Sequence, residues 1–426
     1  RTNAISGKQN RYVGHQRHAL RGACDHNRRQ GVSSLDKREA GRTSSRESRT
    51  TDRNRDHLGR NRGGGNRVAS GDYRMGGMEE RSSFQEKIGT MKKTAAKGFN
   101  PAAFLVRDLL DEKKIKQVPT RNGYGDGLVE AGKLNKGVVV LCADLTESTR
   151  SLAFKEAFPD RFVQMGVSEQ SMASIAAGMS LAGKVPFISS YACFSPGRNW
   201  EQIRTTIALQ NSNVKIAGAH AGVSVGPDGA THQMTEDIAL MRVMPNMRVV
   251  VPCDAIETRK ATIASAVVEC PCYLRFAREK SPVFTTAKTP FKIGRAETFR
   301  FGNDVTIIGT GPLLYEALLA CDRLSRDHGI ECRVINMHTI KPLDVKIIIA
   351  CAKETGAIVT VEEAQTAGGL AGAVAETLAL TVPVPMERIG VQDRFGESGT
   401  PRELQELMGL TAPFIVQAVR RVLDRK

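Results

Sequence analysis

The feature that most constrains this chain is an alternation of short β-branched runs with amphipathic helical stretches, which begins near Phe99. Strand-like runs occupy 138–142, 162–165, 185–190, 214–219, 247–251 and 273–276, with helical stretches at 172–181, 200–209 and 256–268. A second series has strands at 305–309, 332–335 and 358–361 and helices at 313–325, 369–380 and 401–407. Such alternation is typical of βαβ units, so it predicts mainly parallel sheets covered by helices on both faces.

The two series divide the body of the chain into two α/β domains. A segment at 279–298, with two prolines and several threonines, separates them and is expected to be a linker. We therefore predict a first α/β domain at 96–285 and a second at 286–426, both of ordinary domain size.

The N-terminal segment has a different composition. Residues 1–90 carry 20 Lys and Arg against 10 Asp and Glu, and so contribute most of the net charge of +16. No apolar period is present, so residues 1–95 are predicted to be a disordered Arg-rich tail or a non-native extension. An RNA-binding arm or a transit peptide also suits Arg- and Ser-rich sequence. The lack of aromatic interleaving and of an amphipathic stripe argues against both, and against a nucleic-acid partner.

Composition argues against several other classes. No stretch approaches the roughly 18 continuous apolar residues of a membrane helix, and the start shows no apolar region of a secretory signal. The nine cysteines are scattered without CxxC pairs. That distribution fits a reducing compartment better than a zinc or disulfide framework, so a cytoplasmic protein is expected.

The segment GVSEQ at 166–170 lies at a predicted strand-to-helix junction. Ser168 is a good N-cap residue, which places Glu169 in the first helical turn, where the helix dipole favours a carboxylate. A glutamate at this position can have a structural role only, or it can serve a site at the sheet edge.

A glycine-rich loop, HAGVSVGPDGATHQ at 220–233, follows a predicted strand at the edge where open α/β sheets bind ligands. It contains His220, Asp228 and His232, which could bind a metal, although their spacing puts them on no common helix face. Arg121 and the strand end at Arg275 to Arg278 could bind a phosphate.

Two glycine motifs are weaker signals. Gly309-Thr310-Gly311 lacks the third glycine of a dinucleotide-binding turn. Gly125-Asp126-Gly127 lacks the downstream asparagine of a diphosphate–metal motif and is expected to begin or interrupt a helix.

Together, eight motifs resemble the C-terminal half of transketolase, a thiamine-diphosphate enzyme. In order they are VPTRNGYG (118–125), CADLTES (142–148), GVSEQ (166–170), HAGVSVGPDGATHQ (220–233), LRFARE (274–279), TIKPLD (339–344), VEEAQTAGGL (361–370) and FGESGTP (395–401). The resemblance runs from about Phe99 to the end and implies a pyrimidine-binding domain followed by the transketolase C-terminal domain. The DGATHQ loop is the most discriminating motif, because related 2-oxo acid dehydrogenase beta subunits share the glutamate segment but typically not this loop.

The resemblance implies transfer of a two-carbon ketol unit between sugar phosphates by thiamine diphosphate. Glu169 matches the glutamate that hydrogen-bonds the pyrimidine N1′ and so promotes deprotonation of the cofactor. Asp144 and Leu145 match positions near the thiazolium ring. Tyr191 and Phe194 fit the aromatic cradle of the aminopyrimidine, and the sequence leaves open which ring stacks on it.

The same resemblance assigns the substrate contacts. Arg121, Ser148, His220 and Arg278 match the sugar-phosphate clamp, and two guanidiniums, an imidazole and a hydroxyl are suitable donors for a dianion. Asp228 matches the residue that reads the hydroxyl stereochemistry of the acceptor. His232 matches a residue that lines the reacting carbons, where it is a candidate for proton transfer.

Transketolase holds the cofactor diphosphate and Mg²⁺ in an N-terminal domain with a GDG…N motif, which this body lacks. The resemblance therefore implies the C-terminal subunit of a two-chain transketolase of the pentose phosphate pathway. An N-terminal subunit would be the partner chain, with self-association into an α2β2 heterotetramer. A gene fragment is the other explanation. The alternative functions are a transketolase-like subunit that acts on another sugar and a non-catalytic degenerate scaffold.

Overall fold

The computed structural model describes residues 97–426, which belong to one compact unit. The tail predicted at 1–95 lies outside the described residues. In the described part of the chain, no helix is both long enough and apolar enough to cross a membrane.

The six strands predicted in the first domain lie within one residue of their observed limits, and β14 is longer than expected, whereas β1, β2, β9, β10, β13 and β15 were not predicted. In chain order they are β1 Gly98–Phe99, β2 Gln117–Pro119, β3 Val138–Cys142, β4 Phe162–Gln164, β5 Val185–Tyr191, β6 Lys215–Ala219, β7 Arg248–Val250, β8 Cys272–Arg275, β9 Lys280–Pro282, β10 Glu297–Phe301, β11 Val305–Gly309, β12 Cys332–Asn336, β13 Thr339–Lys341, β14 Ile358–Gln365 and β15 Met386–Val391.

Helices connect most of these strands. The α-helices are Thr120–Leu134, Leu152–Ala157, Glu169–Leu181, Trp200–Gln202, Asp237–Arg242, Ala255–Val267, Leu314–His328, Val345–Thr355, Leu370–Leu380, Pro401–Leu407 and Ala412–Leu423. The helix expected at 200–209 continues as a π-helix over Ile203–Ala208.

Two mainly parallel sheets confirm the predicted fold class. The first has the order β13-β7-β8-β6-β5-β3-β4, and the second has the order β1-β10-β12-β11-β14-β15. Every residue of β3, with the sequence VVVLC, is buried, as expected for a central strand with helices on both faces. Antiparallel pairing is confined to the added strands β13, β1 and β10 in these two sheets.

Each sheet takes an edge strand from the other part of the chain. β1 pairs with β10 in the second sheet, and β13 pairs with β7 in the first sheet. Sheet membership therefore does not follow chain order, and the boundaries at 96–285 and 286–426 stay predictions. The linker expected at 279–298 is ordered, because it contains β9, which pairs with β2, and the start of β10.

The expectation that Gly125-Asp126-Gly127 begins or interrupts a helix is wrong. The helix Thr120–Leu134 continues through this segment. Gly123 and Gly127 allow the helix Ala255–Val267 to approach closely: a Cβ on Gly127 would lie 2.6 Å from Cβ of Thr262, while Gly125 packs against Arg150. Close packing between helices explains glycine here, not a phosphate-binding turn.

Candidate active site

The candidate site lies at the carboxyl edge of the first sheet, where parallel sheets commonly bind ligands. β3, β5, β6 and β8 end here, and most of the predicted site residues follow these strands directly. Two of them, Asp144 (φ 59°) and His220 (φ 55°), adopt left-handed backbone conformations just after their strands. Such a conformation is uncommon for a residue other than glycine, and here it turns the chain sharply across the edge.

Glu169 is the buried carboxylate of this edge. It begins the helix Glu169–Leu181 and its side chain is 1% exposed. Its Oε1 accepts a hydrogen bond from Oγ of Ser190 at 3.3 Å, and its Oε2 pairs with Nη1 of Arg198 at 3.1 Å. Ser168 occupies the predicted N-cap position, but its hydroxyl donates to the carbonyl of Met165 at 2.6 Å instead of capping the helix.

Arg198 was missed by the sequence analysis. Its side chain is half-exposed, and its guanidinium lies 4.9 Å from the centre of the Phe194 ring. A cation above an aromatic face is a stabilising arrangement. Glu169, Arg198 and Phe194 therefore form one connected group. Its position is the sequence feature that could have identified it, because Arg198 is seven residues beyond Tyr191 on the loop that follows β5.

The two candidate aromatic rings have different surroundings. The Tyr191 ring stacks on the His220 imidazole, with centroids 3.8 Å apart. Phe194 instead meets the edge of His232 at 5.5 Å, and the Tyr191 and Phe194 centroids are 6.1 Å apart. One face of Tyr191 is thus covered by a neighbour from this chain.

Three of the four predicted clamp residues, Arg121, His220 and Arg278, are close enough to interact electrostatically. Burial, followed by the guanidiniums of Arg121 and Arg278, lowers the pKa of His220 to about 3, so its imidazole is neutral at ordinary pH. Burial also lowers the pKa of Arg121, with further contributions from Arg150 and Arg278. Arg150, two residues after Ser148, is a third cation here that the sequence analysis missed.

Two buried nitrogen atoms in this clamp lack partners within the described residues, Nε of Arg121 and Nδ1 of His220. Buried polar atoms without partners are costly, and they mark places where a ligand or water can bind. Ser148 is partly buried and contributes its carbonyl oxygen, which accepts from Nη1 of Arg121 at 3.0 Å.

Arg278 and Asp228, which were expected to contact different parts of the substrate, are paired with each other. Nη1 of Arg278 lies 3.0 Å from Oδ2 of Asp228, and both side chains are about one-third exposed. The same guanidinium also donates to the carbonyl of Val225 and pairs with Glu279. An incoming phosphate would compete with Asp228 for Arg278.

The remaining predicted residues lie at the rim of the site. Asp144 is exposed and its backbone N–H donates to Oε1 of Gln164 at 3.1 Å, while Leu145 is half-buried. His232 is half-buried, and its Nδ1 is 2.9 Å from the hydroxyl of Thr231. Arg275 does not join the clamp: it is buried, and its Nε pairs with Oδ2 of Asp237 at 2.8 Å.

These residues fit one half of a thiamine cofactor. A buried carboxylate beside aromatic rings suits an aminopyrimidine with a protonated ring nitrogen. Within residues 97–426, no group of three His, Cys, Asp or Glu side chains is placed to hold a metal ion. A metal site formed by His220, Asp228 and His232 therefore has no support among the described residues.

Comparison with known proteins identifies the class. Residues 116–283 match the transketolase pyrimidine-binding domain, and residues 294–415 match the transketolase C-terminal domain. A transketolase C-terminal section from Methanocaldococcus jannaschii is 41% identical over 309 residues, which cover 72% of this chain and 96% of that protein. The chain belongs to the transketolase family.

Two further comparisons define the type of family member. A solved split-gene transketolase, described as an inactive beta4 tetramer, is 45% identical with a TM-score of 0.69, covering 72% of this chain and 99% of that one. The 6-deoxy-6-sulfo-D-fructose transketolase subunit SqwH of a Clostridium species is 38% identical over 315 residues, covering 74% of this chain and 98% of that protein. The described residues of this chain correspond to the C-terminal half of a transketolase.

Proposed function

We propose that this chain is the C-terminal subunit of a two-chain transketolase. It would transfer a two-carbon ketol unit from a ketose phosphate, such as xylulose 5-phosphate, to an aldose phosphate, such as ribose 5-phosphate or erythrose 4-phosphate, in the pentose phosphate pathway. The observation that carries the proposal is a single sheet edge that combines the buried Glu169 carboxylate with the cationic clamp of Arg121 and Arg278.

Members of the transketolase family use thiamine diphosphate with a divalent metal. When bound, the cofactor supplies the electron sink for the carbon–carbon bond that breaks. Glu169 would accept a hydrogen bond from the pyrimidine N1′, with Ser190 and Arg198 holding its carboxylate in place. Phe194 is the better candidate to stack on the pyrimidine, because Arg198, which pairs with Glu169, lies over its ring and so links it to the carboxylate, whereas Tyr191 packs on His220. Asp144 and Leu145 would lie toward the thiazolium.

The clamp would bind the sugar phosphate. Nε of Arg121 can donate to a phosphate oxygen, and neutral His220 can donate one hydrogen bond from either ring nitrogen. When the phosphate binds, Arg278 would leave Asp228 and pair with a phosphate oxygen, and the Ser148 hydroxyl would donate a further hydrogen bond. Asp228 would then be free to accept from an acceptor hydroxyl, and His232 would line the reacting carbons.

A partner chain would complete the site. The described residues contain no group of three His, Cys, Asp or Glu side chains placed to hold a metal ion, and the related split-gene beta4 tetramer is described as inactive. Both observations favour an N-terminal subunit that supplies the diphosphate and Mg²⁺ sites. We propose an α2β2 heterotetramer in the cytoplasm.

The test is ketol transfer from xylulose 5-phosphate to ribose 5-phosphate with thiamine diphosphate and Mg²⁺. The chain is assayed alone and with an N-terminal transketolase subunit from the same source. Activity in the mixture alone supports the proposal. Activity without the partner contradicts the shared site.

A second candidate is ketol transfer from a sulfonated sugar, because a relative with 38% identity is named as a 6-deoxy-6-sulfo-D-fructose transketolase subunit. A sulfonate carries a smaller charge than a phosphate dianion, so fewer cations are needed to bind it. The same mixture with 6-deoxy-6-sulfofructose as donor separates the two candidates. Inactivity with every donor favours a non-catalytic scaffold.

A further inference from the structure

The loop at 220–235 contains the predicted site residues His220, Asp228 and His232. Its glycine-rich backbone can adopt many conformations in the unfolded chain. Its φ angles are positive at His220 (55°), Gly222 (91°), Gly226 (83°) and Gly229 (75°). Glycine loses more conformational freedom on folding than other residues, so ordering this loop is costly. Contacts from outside the loop must offset that cost.

The C-terminal domain supplies such contacts. Oε1 of the buried Glu363 accepts a hydrogen bond from the backbone N–H of Ser224 at 2.6 Å. The backbone N–H of Gln365 donates to the carbonyl of Thr235 at 2.8 Å. The amide of Gln233 donates to the carbonyl of Glu397 at 2.8 Å. The loop is therefore held from the C-terminal domain near its beginning and at its end.

The Glu363 contact leads directly to the clamp. Ser224 is followed by Val225, whose carbonyl accepts from Nη1 of Arg278 at 3.2 Å. That nitrogen is also 3.0 Å from Asp228. One residue of backbone thus separates the atom held by Glu363 from the atom that holds Arg278.

Glu363 is itself fixed in place. Nη2 of the buried Arg275 donates to the carbonyl of Glu363 at 2.8 Å, and Nε of Arg275 pairs with Asp237. Burial raises the pKa of the Glu363 carboxyl, and the Arg275 guanidinium opposes that shift. The contact to Ser224 therefore starts from a rigid part of the second sheet.

We propose that Glu363 is a positioning residue for the phosphate clamp: it fixes the turn at Ser224 and Val225, and through the Val225 carbonyl it orients Arg278. The C-terminal domain would then contribute to substrate binding by orienting Arg278. The kinetic part of the inference rests on the proposed ketol transfer.

The kinetic test uses the chain together with its partner subunit and compares two acceptors, erythrose 4-phosphate and erythrose, which differ only by the phosphate. In Glu363→Ala, the KM for erythrose 4-phosphate should rise about tenfold with kcat within about twofold, because Arg278 loses its fixed carbonyl partner. The KM for erythrose should not change. In Glu363→Gln, the amide oxygen still accepts from Ser224, so both constants should stay close to those of the wild type.

The matched control is Glu376→Ala, which removes another contact between the two domains, the ion pair of Glu376 with Arg242. Glu376 does not contact the loop at 220–235, so its KM values should match those of the wild type. In an Arg278→Ala background, adding Glu363→Ala should change the KM for erythrose 4-phosphate by less than about twofold. Additive effects, or an equal rise for erythrose, would overturn the inference.

Amide hydrogen exchange on the full chain tests the same contact without activity. Exchange at Ser224 should be at least tenfold faster in Glu363→Ala than in Glu376→Ala, since a hydrogen-bonded amide must open before it exchanges. An unchanged exchange rate overturns the inference whatever the kinetics show. Absence of ketol transfer in the wild-type mixture would contradict the proposed function, while the exchange result would still decide the role of Glu363.

Discussion

The carboxyl edges of the two sheets are both formed by parallel strands but have different surroundings. At the first edge, buried nitrogens of Arg121 and His220 lack partners in the described part of the chain. At the second edge, Thr310 donates to the carbonyl of Val251, and Asn336 donates to the carboxylate of Glu257. The second edge therefore faces the first domain, and its backbone and side-chain donors bind protein groups there. Asn336 Oδ1 and His338 Nε2 are its buried side-chain atoms without partners among the described residues, whereas the first edge leaves nitrogens of a cationic cluster unpaired.

The comparison explains why strand position alone does not locate a site. Gly309-Thr310-Gly311 stands at the end of a parallel strand, where ligands commonly bind. In the structure, the N–H of Gly311 donates to the carbonyl of Val251, which is part of the other domain. The two parallel sheets thus offer two candidate edges, and domain packing covers the second at Gly311.

The largest expected effect comes from the first edge. Glu169→Gln should lower kcat for ketol transfer by about 10²- to 10⁴-fold, because a neutral amide cannot stabilise the protonated pyrimidine nitrogen. Steady-state kinetics with the partner subunit measures this loss. Glu201→Gln, an exposed glutamate on the next helix, serves as the control and should retain full activity. Near-normal turnover by Glu169→Gln would remove Glu169 from the site.

Where the first domain covers the second edge, the buried carboxyl of Glu257 should affect the free energy of unfolding and its pH dependence. Burial raises the pKa of Glu257 to about 7, against 4.5 for the free side chain. Between these values the unfolded chain loses the proton and the folded chain keeps it, so the free energy of unfolding falls as pH rises. The fall should be about 3 kcal/mol for this group and complete above pH 7.

Glu257→Gln should remove that part of the pH dependence, although the variant is also less stable because an amide has one acceptor oxygen. Urea unfolding at pH 4.5 and pH 7.5 measures the difference. Glu130→Gln, at an exposed ion pair with Arg259, should show the wild-type slope. Equal slopes for Glu257→Gln and the wild type would contradict the assignment.

Arg278→Ala should mainly raise the KM for phosphorylated sugars. The expected loss is about 1.5–3 kcal/mol, typical of a hydrogen bond to a charged group, or roughly 10- to 150-fold. Arg278→Lys keeps the charge but not the forked geometry and should be intermediate. If the KM for erythrose 4-phosphate were unaffected in the alanine variant, Arg278 would not belong to the clamp.

The smallest expected effect is on the pKa values of two buried histidines, His220 and His338. Burial and neighbouring guanidiniums lower the pKa of His220 to about 3, whereas for His338, at the second edge, burial lowers it to about 4. Both should stay neutral from pH 5 to 8 in NMR titrations. Their contribution to stability is present above pH 6.5, where the unfolded imidazole is also neutral, and is lost as pH falls toward the folded pKa.

Arg278→Ala removes one of the cations near His220 and none of the causes acting on His338. The pKa of His220 should therefore rise in this variant while that of His338 stays constant. A shift in both histidines would indicate a general loosening of the fold.

Much of the fold follows from local patterns. β3 and β11 were predicted at their observed limits, because a continuous β-branched run is what a central parallel strand requires. The position of Glu169 at a helix start was also predicted, from Ser168 at the N-cap position and the strand before it, although the Ser168 hydroxyl bonds Met165 and does not cap the helix. Such features depend on a few neighbouring residues.

The contacts that were missed join distant parts of the chain. Arg198 reaches Glu169 across 29 positions, and Ser224 reaches Glu363 across 139. The GDG expectation failed for the same reason, since a packed helix makes glycine necessary at Gly127. Side-chain partners depend on packing, and no local period in the sequence records them.

The edge strands that the two sheets exchange also affect how the protein is made. β7 is covered by β13, a strand that lies about 90 residues later in the chain. While the chain is being synthesised, β7 therefore has an unpaired edge, of the kind that invites pairing with another chain. The first sheet can be completed only after Lys341 has emerged from the ribosome, so a nascent chain stopped before that point would keep the edge of β7 exposed to aggregation.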